Sequence, residues 1–341
     1  MPATPGECLP RIITVAPRTP DARCYGEDLD ALTRWSDEIG CSGMLLFTGT
    51  HTPIDPWVAA QRIVAQSRQL EPVIAVNPAY MHPAGVARIL SSIAHLYQRR
   101  LHLNLIAGTS LGELESIGDT TPHDERYQRL GEYVDILRLL MSGNRPVSMT
   151  GRHYRINDLQ LFPPLAPDHA PGFFIAGHSR PAADLAARIG AQRMCMLPPG
   201  AAHDAAPGSA LHFGVVTAPS WDAARHAAIS LFPDDEDGLE IVEASMGNTD
   251  ARWKQSLHHE AGQQQETAHS APSTPGVWLH PFRMGRADCP YLVGSQAEVA
   301  DILLQLVRRG HSTLVVETPV HERELTALAG AIEHVRHALV S

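Results

Sequence analysis

Short apolar runs alternate with helical periodicity from one end of the chain to the other. The runs are RIITVAP (11–17), GMLLFT (43–48), PVIAVNP (72–78), RLHLNLIAG (100–108), GFFIAG (172–177), QRMCML (192–197), LHFGVVTA (211–218) and STLVVETP (312–319), and each reads as a strand. Between and after them the apolar positions recur at helical spacing over about 28–39, 56–69, 83–98, 124–142, 180–189, 220–232, 236–261, 296–309 and 322–339. Eight strand-then-helix units in 341 residues predict an α/β fold, a TIM-like (β/α)8 barrel forming one domain over residues 1–341. A doubly wound sheet is the runner-up, and it lacks the G-x-G-x-x-G that should follow a strand.

Two segments break the rhythm. RPVSMTGRHYRINDLQLFPP (145–164) predicts a hairpin insertion. GQQQETAHSAPSTPG (262–276) is polar and free of aromatics, so a mobile lid is expected over about 262–290, ahead of the last strand.

Barrel enzymes build their sites on the loops at the carboxyl ends of the strands. Those loops hold most of the chemistry here: VNPAYMHP, NLIAGTS, TPHDERY, IAGHSRP and ETPVHER. In FFIAGHSRPAADLA a strand runs into Gly177, His178 and Ser179 and a helix follows. Free backbone N–H groups at such a helix start suit a phosphate, although Ser179 equally fits a plain N-cap. The helix opened by His123, Asp124, Glu125, Arg126 and Tyr127 starts on the same face. There Tyr127 falls on the buried stripe, and Asp124 reads as the N-cap. His102 and Asn104 share one face of the fourth strand, with Asn104 nearer its end.

Composition then removes several chemistries. Only one lysine, Lys254, stands among the 27 basic residues, and it lies in a polar helix, so Schiff-base, pyridoxal and P-loop chemistry are not expected. A net charge of −10 argues against a nucleic-acid partner. No apolar run reaches membrane-spanning length, and MPATPGECLPRI has neither the charged nor the apolar region of a secretory signal. The five scattered cysteines suit a reducing compartment, so a cytoplasmic protein is expected. The first strand has no H-x-H, and His258 and His259 are adjacent on a helix, so no metal is expected. Paired carboxylates at strand ends are also missing. What remains suits an enzyme whose cofactor carries the reaction.

RRLHLNLIAGTSLGELESIGDTTPHDERYQRLGEYVDILRLLMSG, GRHYRINDLQLFPP, FFIAGHSRPAADLAARIGAQRMCM and PYLVGSQAEVADILLQLVRRGHSTLVVETPVHERE, in that order, resemble the bacterial-luciferase-like monooxygenases. The branch they resemble most is the alkanesulfonate monooxygenases. The resemblance implies a two-component enzyme in which a separate NAD(P)H-dependent flavin reductase supplies reduced FMN. With O2, that flavin oxygenates a small organic substrate under a lid. It also implies a homodimer or homotetramer. Position by position, Tyr127 and Ser179 would contact the flavin phosphate and Gly177 would allow close backbone approach. His123 and Arg126 would line that side, and Asn77 and Asn104 the ring side. His321 would stand near the substrate, and Arg283, or Arg286 in its place, would be the lid arginine.

The chain also departs from the family pattern. His178 replaces a glycine in the phosphate turn, Val216 and Ala218 replace the Arg and His of sulfonate enzymes, Pro319 replaces a Tyr, and Pro53 replaces a Cys. A pocket that loses cations and gains apolar groups is poorly suited to a sulfonate. The substrate expected is therefore not a simple alkanesulfonate. The rival readings are hydride transfer with the deazaflavin coenzyme F420, and a flavin- or ligand-binding barrel without turnover.

Overall fold

The computed structural model describes residues 10–50, 52–108, 110–143, 145–267, 274–317 and 322–340. Among them the strands are β1 (Arg11–Val15), β2 (Gly43–Leu46), β3 (Val73–Val76), β4 (His102–Leu105), β5 (Val147–Thr150), β6 (Arg155–Leu159), β7 (Phe173–Ala176), β8 (Gln192–Met196), β9 (Ala210–Ala218), β10 (Gly276–Trp278), β11 (Tyr291–Ser295) and β12 (Thr313–Glu317). The α-helices are α1 (Ala22–Glu38), α2 (Pro56–Gln66), α3 (Pro83–Tyr97), α4 (Leu111–Ser116), α5 (His123–Met141), α6 (Arg180–Ile189), α7 (Trp221–Leu231), α8 (Glu236–Gly247), α9 (Arg252–Thr267), α10 (His280–Arg283), α11 (Gln296–Arg308) and α12 (Glu322–Val340).

Hydrogen-bonded neighbours follow the order β10-β11-β9-β12-β1-β2-β3-β4-β7-β8, and β8 pairs again with β9. The strands β1, β2, β3, β4, β7, β8, β9 and β12 are the eight expected from the apolar runs, and they have the closed succession of a parallel (β/α)8 barrel.

The chain divides into two compact units, Arg18–Arg193 and Met1–Pro17 with Met194–Ser341. In the first, β2, β3, β4 and β7 lie side by side and parallel, with Ala75 opposite Asn104 and Asn104 opposite Phe174. Every residue of β2, β3 and β4 is buried, which explains their continuous apolar runs. Helices α1, α2 and α3 begin on Asp21, Asp55 and His82, whose side chains each accept a hydrogen bond from a first-turn backbone N–H. In the second unit, all nine residues of β9 are buried. It pairs in parallel with β12 along Leu211–Gly214 and with β11 along Gly214–Ala218.

Several expectations need correction. The first helix starts at Ala22 rather than near residue 28, because Asp21 caps it. The helix expected over 236–261 is two, α8 and α9, separated at the polar turn of Asn248, Thr249 and Asp250. Helix α4 and strands β10 and β11 were not expected. The hairpin insertion is present as antiparallel β5 and β6.

The segment expected as a mobile lid is folded wherever it is described. Residues 262–267 complete α9, and 276–290 carry β10 and α10. Leu279 and Phe282 pack with Leu257 and Ala261 of α9, an apolar anchor that the polar stretch before it hid. Residues 268–273 lie outside the described residues.

Candidate active site

Asn77 follows β3 directly, Asn104 is the third residue of β4, and Gly177 follows β7. These three strands are neighbours, so the three residues share the carboxyl-terminal edge of one parallel sheet. Helix α5 brings His123, Arg126 and Tyr127. All these side chains, with His178 and Ser179, belong to the unit Arg18–Arg193.

The side expected to take a phosphate is built around Gly177. Its φ of +139° is backbone that residues with a side chain rarely adopt, and a Cβ there would stand 2.9 Å from Tyr127 Oη and 3.1 Å from Ala182 Cβ. The missing side chain thus brings the phenol hydroxyl against the backbone of the turn. Ser179 is buried and caps α6, its Oγ accepting from Ala182 N at 3.3 Å. The capping expectation holds, and the same hydroxyl keeps its own proton to donate. Arg193 on β8, which the sequence reading did not single out, donates to Gly177 O at 3.3 Å. Burial, and then the Arg193 charge, hold the His178 imidazole below its ordinary pKa. Its side chain still reaches solvent, so protein surrounds only part of the ring.

Helix α5 begins differently from its neighbours. Pro122, not Asp124, occupies the N-cap, and no side chain caps the first N–H groups. Asp124 is instead the partner of His123, whose Nδ1 lies 2.8 Å from Asp124 Oδ1 and whose ring meets Tyr127 edge-on at 5.2 Å. Arg126 is only 3% exposed, which rules out a surface role, and its Nη1 donates to Thr121 O at 3.4 Å. The loop leading into the helix is braced by Arg129, which donates to Asp119 Oδ2 at 2.5 Å, while Thr121 Oγ1 donates to Asp119 Oδ1 at 2.6 Å. Burial would raise the Asp119 pKa, but these bonds outweigh it and hold the carboxyl down to about 2.

On the side expected to take the ring, Asn77 is buried and its Oδ1 accepts from Ala79 N at 3.0 Å. Asn104 is also buried, but its Oδ1 has no hydrogen-bond partner among the described residues. An orphaned buried acceptor costs about 1–3 kcal/mol. His102, two residues earlier, has the structural role instead. Its Nδ1 accepts from Gly172 N at 3.0 Å, which leaves Nε2–H to donate to Glu71 Oε2 at 2.8 Å.

The remaining expected residues fall elsewhere. Arg283 is half-buried in α10 and belongs to the other unit. Arg286 forms an ion pair with Asp235 at 2.5 Å. Val216 and Ala218, where sulfonate enzymes have cations, are buried in an apolar cluster with Ala224, Ala228 and Phe232. His321 and Pro319 lie outside the described residues.

The donor set fits a ligand with a phosphate at one end and a polar ring at the other. Tyr127 Oη stands at the turn of Gly177 that a Cβ would fill, Ser179 follows two residues on, Arg126 is buried beside Tyr127 in sequence, and Asn104 has a buried acceptor without a hydrogen-bond partner among the described residues. Residues 18–313 match the luciferase-like monooxygenase family. The chain belongs to that family.

It is therefore an enzyme, and the reading as a barrel without turnover is dropped. A 4-(γ-L-glutamylamino)butanoyl-[acyl-carrier protein] monooxygenase of Niallia circulans is 28% identical over 314 residues, covering 88% of this chain and 89% of that one. Among solved structures, a riboflavin lyase with modified FMN and its substrate riboflavin aligns with a TM-score of 0.74 at 16% identity, covering 98% of this chain and 92% of that one. An F420-dependent secondary alcohol dehydrogenase with an F420-acetone adduct aligns with a TM-score of 0.67 at 15% identity, covering 96% of this chain and all of that one, 100%. At such identities the two structures share the fold alone with this chain. No helix among the described residues is long and apolar enough to cross a membrane.

Proposed function

We propose that the chain is the oxygenating component of a two-component, reduced-FMN-dependent monooxygenase, acting as one barrel domain. The observation that carries this reading is the cradle at Gly177, where Tyr127 Oη approaches to within 2.9 Å of the absent Cβ. Tyr127, Ser179 and Arg126 would hold the flavin phosphate by charge-assisted hydrogen bonds, with His178 beside them. Asn104 and Asn77 would bind the ring side, Asn104 through the acceptor that the fold leaves unused. When bound, reduced flavin supplies the electrons that activate O2 for transfer of one oxygen atom to a substrate.

The chain's own task is to bind, orient and exclude water. His123 is the residue placed to move a proton. Its Nδ1 is engaged by Asp124, which leaves Nε2 to take or give one. His321 and Arg283 are assigned to the substrate side. A separate NAD(P)H-dependent reductase, assembly as a homodimer or homotetramer, and a cytoplasmic location come with this reading.

Val216 and Ala218, at the positions where the resemblance puts the cations of sulfonate enzymes, offer no charge to a sulfonate. The named relative acts on an amide-bearing acyl group carried by a carrier protein. We therefore assign this chain an uncharged or amide-bearing acyl substrate rather than a simple alkanesulfonate. The test is NADH-driven O2 consumption with a flavin reductase and a panel of free acids, amides, carrier-bound acyl groups and alkanesulfonates. Oxygen incorporation into an acyl or amide compound supports the assignment, and turnover confined to alkanesulfonates overturns it.

Hydride transfer with F420 is the second reading, favoured by the F420 enzyme with the same fold. A substrate reduced or oxidised under anaerobic conditions would select it.

A further inference from the structure

A second group of chemistry-bearing side chains is buried in the unit Met1–Pro17 with Met194–Ser341. His212 lies on β9, Glu317 ends β12, and Cys289 stands two residues before β11. They are 3%, 4% and 0% exposed. Strand register explains how they meet. His212 is opposite Val315 and Gly214 is opposite Glu317, so His212 and Glu317 project from one face of adjacent strands. Gly214 has no side chain on that face, and a Cβ there would overlap the ring of Tyr291. The space is taken by that ring, whose hydroxyl donates to Glu317 Oε1 at 3.2 Å. The other carboxylate oxygen, Oε2, lies 3.6 Å from Cys289 Sγ and 3.7 Å from His212 Nε2. The three potential ligand atoms all lie within 4.8 Å of one another.

We propose that His212, Cys289 and Glu317 bind a divalent ion of the zinc type. A thiolate, an imidazole and a carboxylate are ligands that zinc prefers. Zinc bonds of about 2.0–2.3 Å at tetrahedral angles put ligand atoms about 3.3–3.7 Å apart. The two separations from Glu317 Oε2 are 3.6 and 3.7 Å, so the ion needs only small side-chain adjustments. A thiolate, a carboxylate and a neutral imidazole balance a dication, so the loaded cluster is neutral overall. Binding releases the Cys289 thiol proton to solvent, and Tyr291 orients the carboxylate from behind. The ligands are far apart in sequence, at 212, 289 and 317, so no local spacing reveals them. The ion would tie β9, β12 and the lead-in to β11 together. This proposal is independent of the flavin reading.

The test uses the full chain expressed with added zinc or cobalt, desalted, and analysed for metal content and near-ultraviolet absorption. One equivalent of metal per chain and a thiolate-to-cobalt charge-transfer band are expected. Both should be retained in Cys24→Ser, which changes the exposed cysteine. Both should be lost in Cys289→Ser and Glu317→Gln. A folded wild-type chain without metal after growth in either ion overturns the proposal. So does metal that survives both ligand substitutions. If the variants do not fold, the wild-type stoichiometry and the cobalt band decide alone.

Discussion

Three substitutions separate binding from folding around Asn104 and Gly177. Asn104→Leu removes a buried acceptor without a hydrogen-bond partner among the described residues and keeps the branched heavy-atom shape. The ligand-free protein should keep its Tm or gain up to about 1 kcal/mol, while reduced-FMN affinity falls. A variant that is clearly less stable would show that Asn104 is a structural group. Gly177→Ala forces a side chain into a backbone of φ +139° and against Tyr127 Oη. It should cost about 1–3 kcal/mol in stability and weaken flavin as well. Tyr127→Phe should weaken flavin about 10- to 100-fold, the worth of a hydrogen bond to a charged phosphate. Unchanged affinity in Tyr127→Phe would move the phosphate elsewhere. Much of this was legible in the sequence, because Gly177, Ser179 and Tyr127 are local to a strand end or a helix start. Arg193 was not, since a single arginine on a strand gives no local signal. His102 shares that strand face with Asn104, and its bonds to Glu71 and Gly172 make it a structural group.

At the scale of elements, the eight barrel strands were legible because each is a continuous apolar run, whereas β11 was not. YLVGS is short, contains a glycine and follows a turn, so its periodicity is too brief to register. Likewise the break between α8 and α9 is a four-residue link, 248–251, inside a pattern that otherwise continues. Two predictions belong here. Phe282 is 2% exposed and anchors α10 to α9, so Phe282→Ala should cost about 3 kcal/mol, read from denaturant unfolding. No loss would mean that this segment is a loose lid after all. The Asp119–Arg129 brace before α5 predicts an acid effect. A folded pKa of about 2, below the unfolded value of 3.8, gives stability that is complete above about pH 4. It is lost as pH falls from there through 2, a contribution on the order of 2 kcal/mol. Asp119→Asn should flatten that part of the stability profile, and a variant with the wild-type profile would remove the brace from the account.

For the whole molecule, the parallel barrel order and the luciferase-like membership agree, since both follow from strands whose carboxyl ends carry the polar residues. Solved structures of the same fold include one with modified FMN and one with an F420 adduct, so the cofactor has to be decided on this chain's own donors. An anaerobic titration that follows quenching of the five tryptophans, with reduced FMN, oxidised FMN and reduced F420 in turn, decides it most directly. We predict that reduced FMN binds at least about tenfold more tightly than the other two, and that Tyr127→Phe weakens reduced and oxidised FMN alike. Tighter binding of reduced F420, or no binding of any flavin, would contradict the account.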